Sequence, residues 1–270
     1  MKLKIFAGLG LVTLLAMGSF YLLNAPGSRN ITYPSPNGFD AVAEAGRKMT
    51  PVPMDYDSSQ DTQALQAYLD ANTDPLALLD QAMDQQYMVR MTDSQTMDEI
   101  LDQSGETRNA SRLLYVVARL AELEGRSVDA ANALAKIAVI GRRSANGGLL
   151  IHAQMAVAIE RQGLEGLKQL SQKLPADEKT RIAKLIEAED TQDIDIDSKI
   201  ETITVREYDN VKRQSGTLMG SYMIWRLADT EMATEPYDRL RAAEEENRTQ
   251  RKDLLDLLRQ PATTSENPTP

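Results

Sequence analysis

The 270-residue chain contains no cysteine, one histidine, one tryptophan and three phenylalanines. Without cysteine there can be no disulfide framework, thiolate zinc site, thiol nucleophile, iron–sulfur cluster or acylated-thiol anchor. A lone His152 excludes His-pair metal sites and leaves a Ser-His-Asp triad a single base to draw on. Gly-rich phosphate loops, Gly-x-Ser-x-Gly and His-Glu-x-x-His are also missing. Positive charge is the minority, with 30 Lys+Arg against 40 Asp+Glu and a formal net charge of −10. That balance, with 5% aromatics and no stacking pattern, argues against nucleic acid as a partner. The residues identify no catalytic, metal or cofactor position, and the expectation is of no cofactor.

Charge is absent from residues 5–23, a run of 19 positions directly after Lys2 and Lys4. At about 1.5 Å per residue it would form a helix of about 28 Å, close to the hydrocarbon thickness of a bilayer. Ionised groups are costly in hydrocarbon, so a membrane anchor is predicted over residues 1–23, with both lysines held in the cytoplasm. A cleaved signal peptide would use a shorter apolar region, and Asn24-Ala25-Pro26-Gly27 offers no small-x-small cleavage site. Either reading exports the remainder of the chain. The expected location is the inner (cytoplasmic) membrane, crossed once, with the C-terminal domain outside the cytoplasm.

Behind the run, prolines and glycines divide the chain. Pro26, Pro34 and Pro36 mark residues 24–37 as a stalk. Residues 38–107 read as an acidic helical region: a short helix over 39–49 ended by Pro51 and Pro53, a second over 60–71, and a third starting at Asp74-Pro75. Residues 108–189 read as the core. Leu113, Leu114, Val117, Leu120 and Ala121 form one apolar stripe, and Gly125 breaks it. A helix capped at Ser127 follows, then a break at Asn146-Gly147-Gly148, a helix over 149–162, another introduced by Gly163, and one restarted by Pro175. The acidic stretch 187–197 is expected to be a connector. Residues 190–260 read as C-terminal helices over about 198–214, 218–227 with Trp225, and 236–259; residues 261–270 read as a disordered tail. The β-branched patch 200–205 is the one strand signal, and the fold class expected is all-α.

Leu114, Ala118, Gly125, Asp129, Ala130 and Leu134 resemble the packing residues, inter-helix turn and small contact residue of tetratricopeptide-type helical pairs. The resemblance covers roughly residues 108–174, and the next comparable turn, Gly163, comes 38 after Gly125, where the family repeats at about 34. It implies stacked antiparallel helix pairs presenting a surface to a partner. The whole layout, with Asn37-Gly38-Phe39-Asp40 at the end of the stalk, is similar to bacterial envelope proteins that carry an amino-terminal anchor, a Pro-rich stalk and a helical array. That similarity implies a location and brings no activity with it.

Charge changes sign along the chain, with net values of −10 over residues 40–110, +5 over 111–186 and −8 over 187–270. Such blocks are expected to attract one another within the fold in preference to facing an anionic partner. His152 is expected to be a helix-surface or partly packed residue and not a base. Asp193, Asp195 and Asp197 alternate like the first half of a calcium loop, yet Ser198 and Thr204 stand where that loop needs Gly and a bidentate Glu. They read as an acidic linker, with Asp197 capping the next helix. Met83, Met88, Met91 and Met97 read as core filler. Glu244 and Arg248 have the i, i+4 spacing of an exposed pair. Leu240, Leu254 and Leu258, interrupted by Asn247 and Arg251, predict a docked amphipathic helix and not a dimerising coiled coil.

The expected function is therefore a membrane-anchored, extracytoplasmic, non-enzymatic scaffold or binding protein for a protein or envelope component. The alternative is an envelope glycan-cleaving hydrolase or lyase that works through carboxylates alone.

Overall fold

The computed structural model describes residues 32–52, 56–91, 95–191, 196–215 and 231–260. The expected anchor over 1–23, most of the stalk, the helix with Trp225 and the tail over 261–270 lie outside the described residues. Among the described residues no helix is long and apolar enough to cross a membrane.

The described chain is all-α. It forms α1 (Gly38–Lys48), α2 (Thr62–Asp70), α3 (Thr73–Ala82), α4 (Met97–Leu123), α5 (Ser127–Ser144), α6 (Leu150–Leu170), α7 (Ala176–Thr191), α8 (Ile196–Ser215) and α9 (Glu231–Arg259). The β-branched patch at 200–205 lies inside α8. Ile200 and Ile203 turn into a small apolar cluster there, while the Thr202 and Thr204 hydroxyls donate to carbonyls one turn back.

Local chemistry explains most boundaries. The Asn37 side chain accepts from the Phe39 N–H at the start of α1, and the Asp61 side chain accepts from the Ala64 N–H at the start of α2. α3 begins one residue before the expected Asp74, so Pro75 occupies its third position. Proline is tolerated there because the first-turn N–H groups have no intrahelical acceptor. α4 begins eleven residues earlier than the expected core boundary at Arg108. A reciprocal cap sets its start: the Glu99 N–H donates to Thr96 Oγ1, and the Thr96 N–H donates to the Glu99 carboxylate at 2.7 Å. At its other end Gly125 adopts φ 74°, the Gly125 N–H donates to Glu122 O, and the Arg126 N–H donates to Ala121 O. This left-handed stop turns the chain straight into α5.

Gly163 does not introduce a new helix. α6 runs through it, and a Cβ there would meet Ala138 N at 2.5 Å and Leu134 O at 2.7 Å on α5. Gly141 on α5 lies in the same way against the backbone of Glu160 on α6. The reversed order of these approaches makes α5 and α6 antiparallel, and the missing side chains allow the two backbones to close on each other. α4 and α6 begin 53 residues apart, well beyond a tetratricopeptide spacing of about 34.

The expected acidic connector is also largely helical. α7 continues to Thr191 and α8 starts at Ile196, with Asp197 inside the first turn of α8 and paired to Arg241 at 3.0 Å. Glu189 is buried, and Arg143 of α5 neutralises it.

The main core joins α1 to α7 with Leu254 and Leu258 of α9. A second cluster seats Leu240 against Ala153 and Val157 of α6 and Ile200 and Ile203 of α8. α9 is thus a docked helix, with Leu240, Asn247, Arg251, Leu254 and Leu258 all buried along one seam.

Candidate binding cleft

A cleft of about 680 Å³ opens where the end of α5, the turn after it, residues 83–88, α8 and α9 converge, with Thr32, Tyr33 and Pro34 forming one wall. Its volume lies in the range of small-molecule sites, roughly 300–1,000 Å³. The sequence does not announce it, because its walls come from segments as far apart as Thr32 and Glu244.

The wall at residues 32–37 is tied down. The Asn37 amide donates to Met88 O at 2.8 Å, its oxygen accepts from the Met88 N–H at 3.0 Å, and the Gly38 N–H donates to Gln86 O at 2.8 Å. The Tyr33 hydroxyl donates to Met91 O and accepts from the Met91 N–H, each at 3.1 Å, with Arg90 stacked over its ring. The Arg206 guanidinium of α8 also donates to that hydroxyl at 3.4 Å. On the opposite side Asn146 donates to Tyr87 O at 2.7 Å, and the Val89 N–H donates to Asn146 O at 2.8 Å.

The floor is charged, and its charges answer one another. Arg143 forks onto Glu189 at 2.9 and 2.5 Å, donates to Met83 O at 2.7 Å, and lies 5.5 Å from the centre of the Tyr87 ring. Burial alone would depress the Arg143 pKa; the Glu189 carboxylate overrides it and holds the guanidinium above its ordinary value. Burial also pushes the Tyr87 phenol up. Lys199 of α8 meets Glu244 of α9 at 3.3 Å, and Arg142 lies 3.6 Å from the same carboxylate and 3.5 Å from Asp190. Glu244 therefore faces α8 and α5, and Arg248 pairs instead with Glu245 at 3.3 Å, contrary to the expected i, i+4 pair.

Beneath the floor, Glu160 is buried between α6 and α9. It accepts from Arg251 at 2.6 Å and from the Asn247 amide at 2.9 Å, and that amide also donates to Val157 O at 2.9 Å. Asn247 and Arg251, which interrupt the leucine seam in sequence, are the residues that read this carboxylate. The basic middle does meet its acidic flanks within the chain, through Arg143 on Glu189 and, at the surface, Lys136 on Asp80 at 2.5 Å.

These pairings bear on chemistry. A general acid must present a carboxyl group that can reach a leaving atom, whereas Glu160 and Glu189 are both occupied by arginines. His152 is fully buried, unlike the expected surface or partly packed residue. Its Nδ1 accepts from the Leu149 N–H at 3.1 Å, anchoring the first turn of α6. Burial, helped by the charge of Arg206, pulls its pKa down to about 4. Met83 and Met88 line the cleft, Met91 is buried in the core and Met97 is exposed. Asp193 and Asp195 lie outside the described residues, and among the described residues no cluster is suited to hold a metal ion.

The fold and cleft thus define an all-α protein with a charge-paired groove. No protein-family model, curated protein or solved structure matches the chain.

Proposed function

We propose that the chain is a membrane-tethered helical scaffold, held outside the cytoplasm at the inner membrane, that binds a protein or envelope component without catalysing a reaction. The observation that carries this reading is the mutual commitment of the buried charges around the cleft. Arg143 with Glu189 at the floor of the cleft, and Arg251 with Glu160 beneath it, form a fixed polar base suited to shape a binding surface and ill placed to exchange protons. The charge-free run at residues 5–23 supports the tether. The α4–α5 hairpin turning at Gly125 and the α5–α6 hairpin that follows serve as stacked pairs of a tetratricopeptide-like array on a longer repeat. Such arrays bind through the surface that stacking creates.

Fractionation tests the tether. The full chain sediments with inner membranes and resists salt extraction, whereas a chain lacking residues 1–30 stays soluble. A full-length protein in the cytosol refutes this assignment. Incubation with purified envelope glycan tests the absence of catalysis. No cleavage is expected, and turnover abolished by either Glu160→Gln or Glu189→Gln in a folded variant would overturn the non-enzymatic reading.

A further inference from the structure

Both Asn-Gly dipeptides of the cleft region, Asn37-Gly38 and Asn146-Gly147, hold the same segment, residues 86–89, from opposite sides. Asn-Gly is the dipeptide most open to intramolecular deamidation, because glycine offers no side chain to hinder attack by its own nitrogen. We propose that Asn146 is a deamidation site of the folded protein, at the rim of the cleft, and that the fold withholds the same chemistry from Asn37.

The reaction needs only water. The Gly147 backbone nitrogen gives its proton to solvent base and bonds to Cγ of Asn146. The Cγ–Nδ2 bond breaks, and ammonia leaves after taking a proton from water. Water then opens the cyclic imide to aspartate or isoaspartate, with no oxidant or reductant involved.

The two sites differ in what stands against this attack. Asn37 is 5% exposed. Its amide donates to Met88 O, its oxygen accepts from Phe39 and Met88, and the attacking Gly38 N–H is itself donated to Gln86 O. Asn146 is exposed at the cleft mouth, and its side chain is restrained by a single described bond, to Tyr87 O. Each net hydrogen bond is worth roughly a factor of five. Four restraints against one therefore separate the sites by on the order of a hundredfold in rate. The product at 146 is a carboxylate, which has no N–H to offer Tyr87 O. It releases one of the two ties between residues 87–89 and the turn, leaving a time-dependent mark on the cleft wall.

The full chain is incubated at mildly alkaline pH, folded in detergent and in parallel unfolded in urea, and both sites are followed by peptide mass and isoaspartate assay. In the folded chain Asn146 converts while Asn37 stays intact, and in urea the two convert at similar rates. An Asn146→Gln chain loses the folded-state signal. Asn146 remaining intact in the folded chain while converting in urea overturns the proposal, as do equal rates at both positions in the folded chain.

Discussion

Arg251, in the second half of α9, donates a 2.6 Å hydrogen bond to Glu160 of α6, a residue 91 positions earlier in the chain. Both side chains are only 4% exposed, so neither charge has water as an alternative partner. Removing one partner from such a pair costs about 3–5 kcal/mol, whereas replacing both with apolar groups of similar volume is often near neutral. Glu160→Leu alone therefore lowers the urea midpoint strongly, and adding Arg251→Met recovers only part of the loss, because Asn247 loses its carboxylate acceptor and Asp190 loses a guanidinium. Strictly additive losses in this cycle would show that the two residues act separately.

Gly105 of α4 and Gly163 of α6 separate two meanings of glycine within a helix. At Gly163 a Cβ would press on the Ala138 and Leu134 backbone, whereas at Gly105 nothing lies within 4 Å. Gly163→Ala thus forces α5 and α6 apart and costs about 1–3 kcal/mol or more. Gly105→Ala removes backbone freedom from the unfolded chain and stabilises by about 0.5–1 kcal/mol. Thermal melts followed by circular dichroism read both. Equal signs for the two substitutions would refute the close approach.

The same glycine shows where the sequence is legible and where it is not. The apolar stripes of α4, α5 and α6 and the stop at Gly125 are local features, so periodicity and turn chemistry reveal them. Gly163 carries the same letter as Gly125, and only the partner helix tells a close approach from a turn. The Thr96–Glu99 cap was open to reading, since Thr-x-x-Glu before an apolar run is its pattern. Residues 187–197 read as a linker because acids without visible partners look solvated. Glu189 is helical and buried because Arg143, 46 positions away, neutralises it. The cleft is wholly non-local, and no single stretch of sequence contains it.

Asn72 is fully buried ahead of α3, yet it makes no side-chain cap on its own helix. Its oxygen accepts from the Thr50 N–H at 2.9 Å, and its amide donates to Thr50 Oγ1 and to Tyr68 O, each at 2.7 Å. It therefore fastens the end of the α1 segment to α2. Asn72→Leu removes all three bonds, and because Thr50 is exposed and its freed groups can take water, the cost is roughly 1–3 kcal/mol. Hydrogen exchange detects the change as faster labelling of residues 48–52. Unchanged protection there would mean that the segment is held by packing alone.

His152 makes stability depend on pH with a sign that follows from its burial. The unfolded histidine titrates near its ordinary 6.5, and the folded one only at about 4, because burial and then Arg206 oppose the imidazolium. Between these values the unfolded chain binds the extra proton, so the contribution of this residue falls as pH drops from about 7 to 4 and changes no further below that. The span corresponds to about 3 kcal/mol. His152→Gln keeps an acceptor within reach of the Leu149 N–H but has no titrating ring. The variant loses stability at pH 7 yet flattens the dependence between pH 7 and 4.5, measured as urea midpoints at several pH values. Parallel curves for the two proteins would show that the acid sensitivity does not arise at His152.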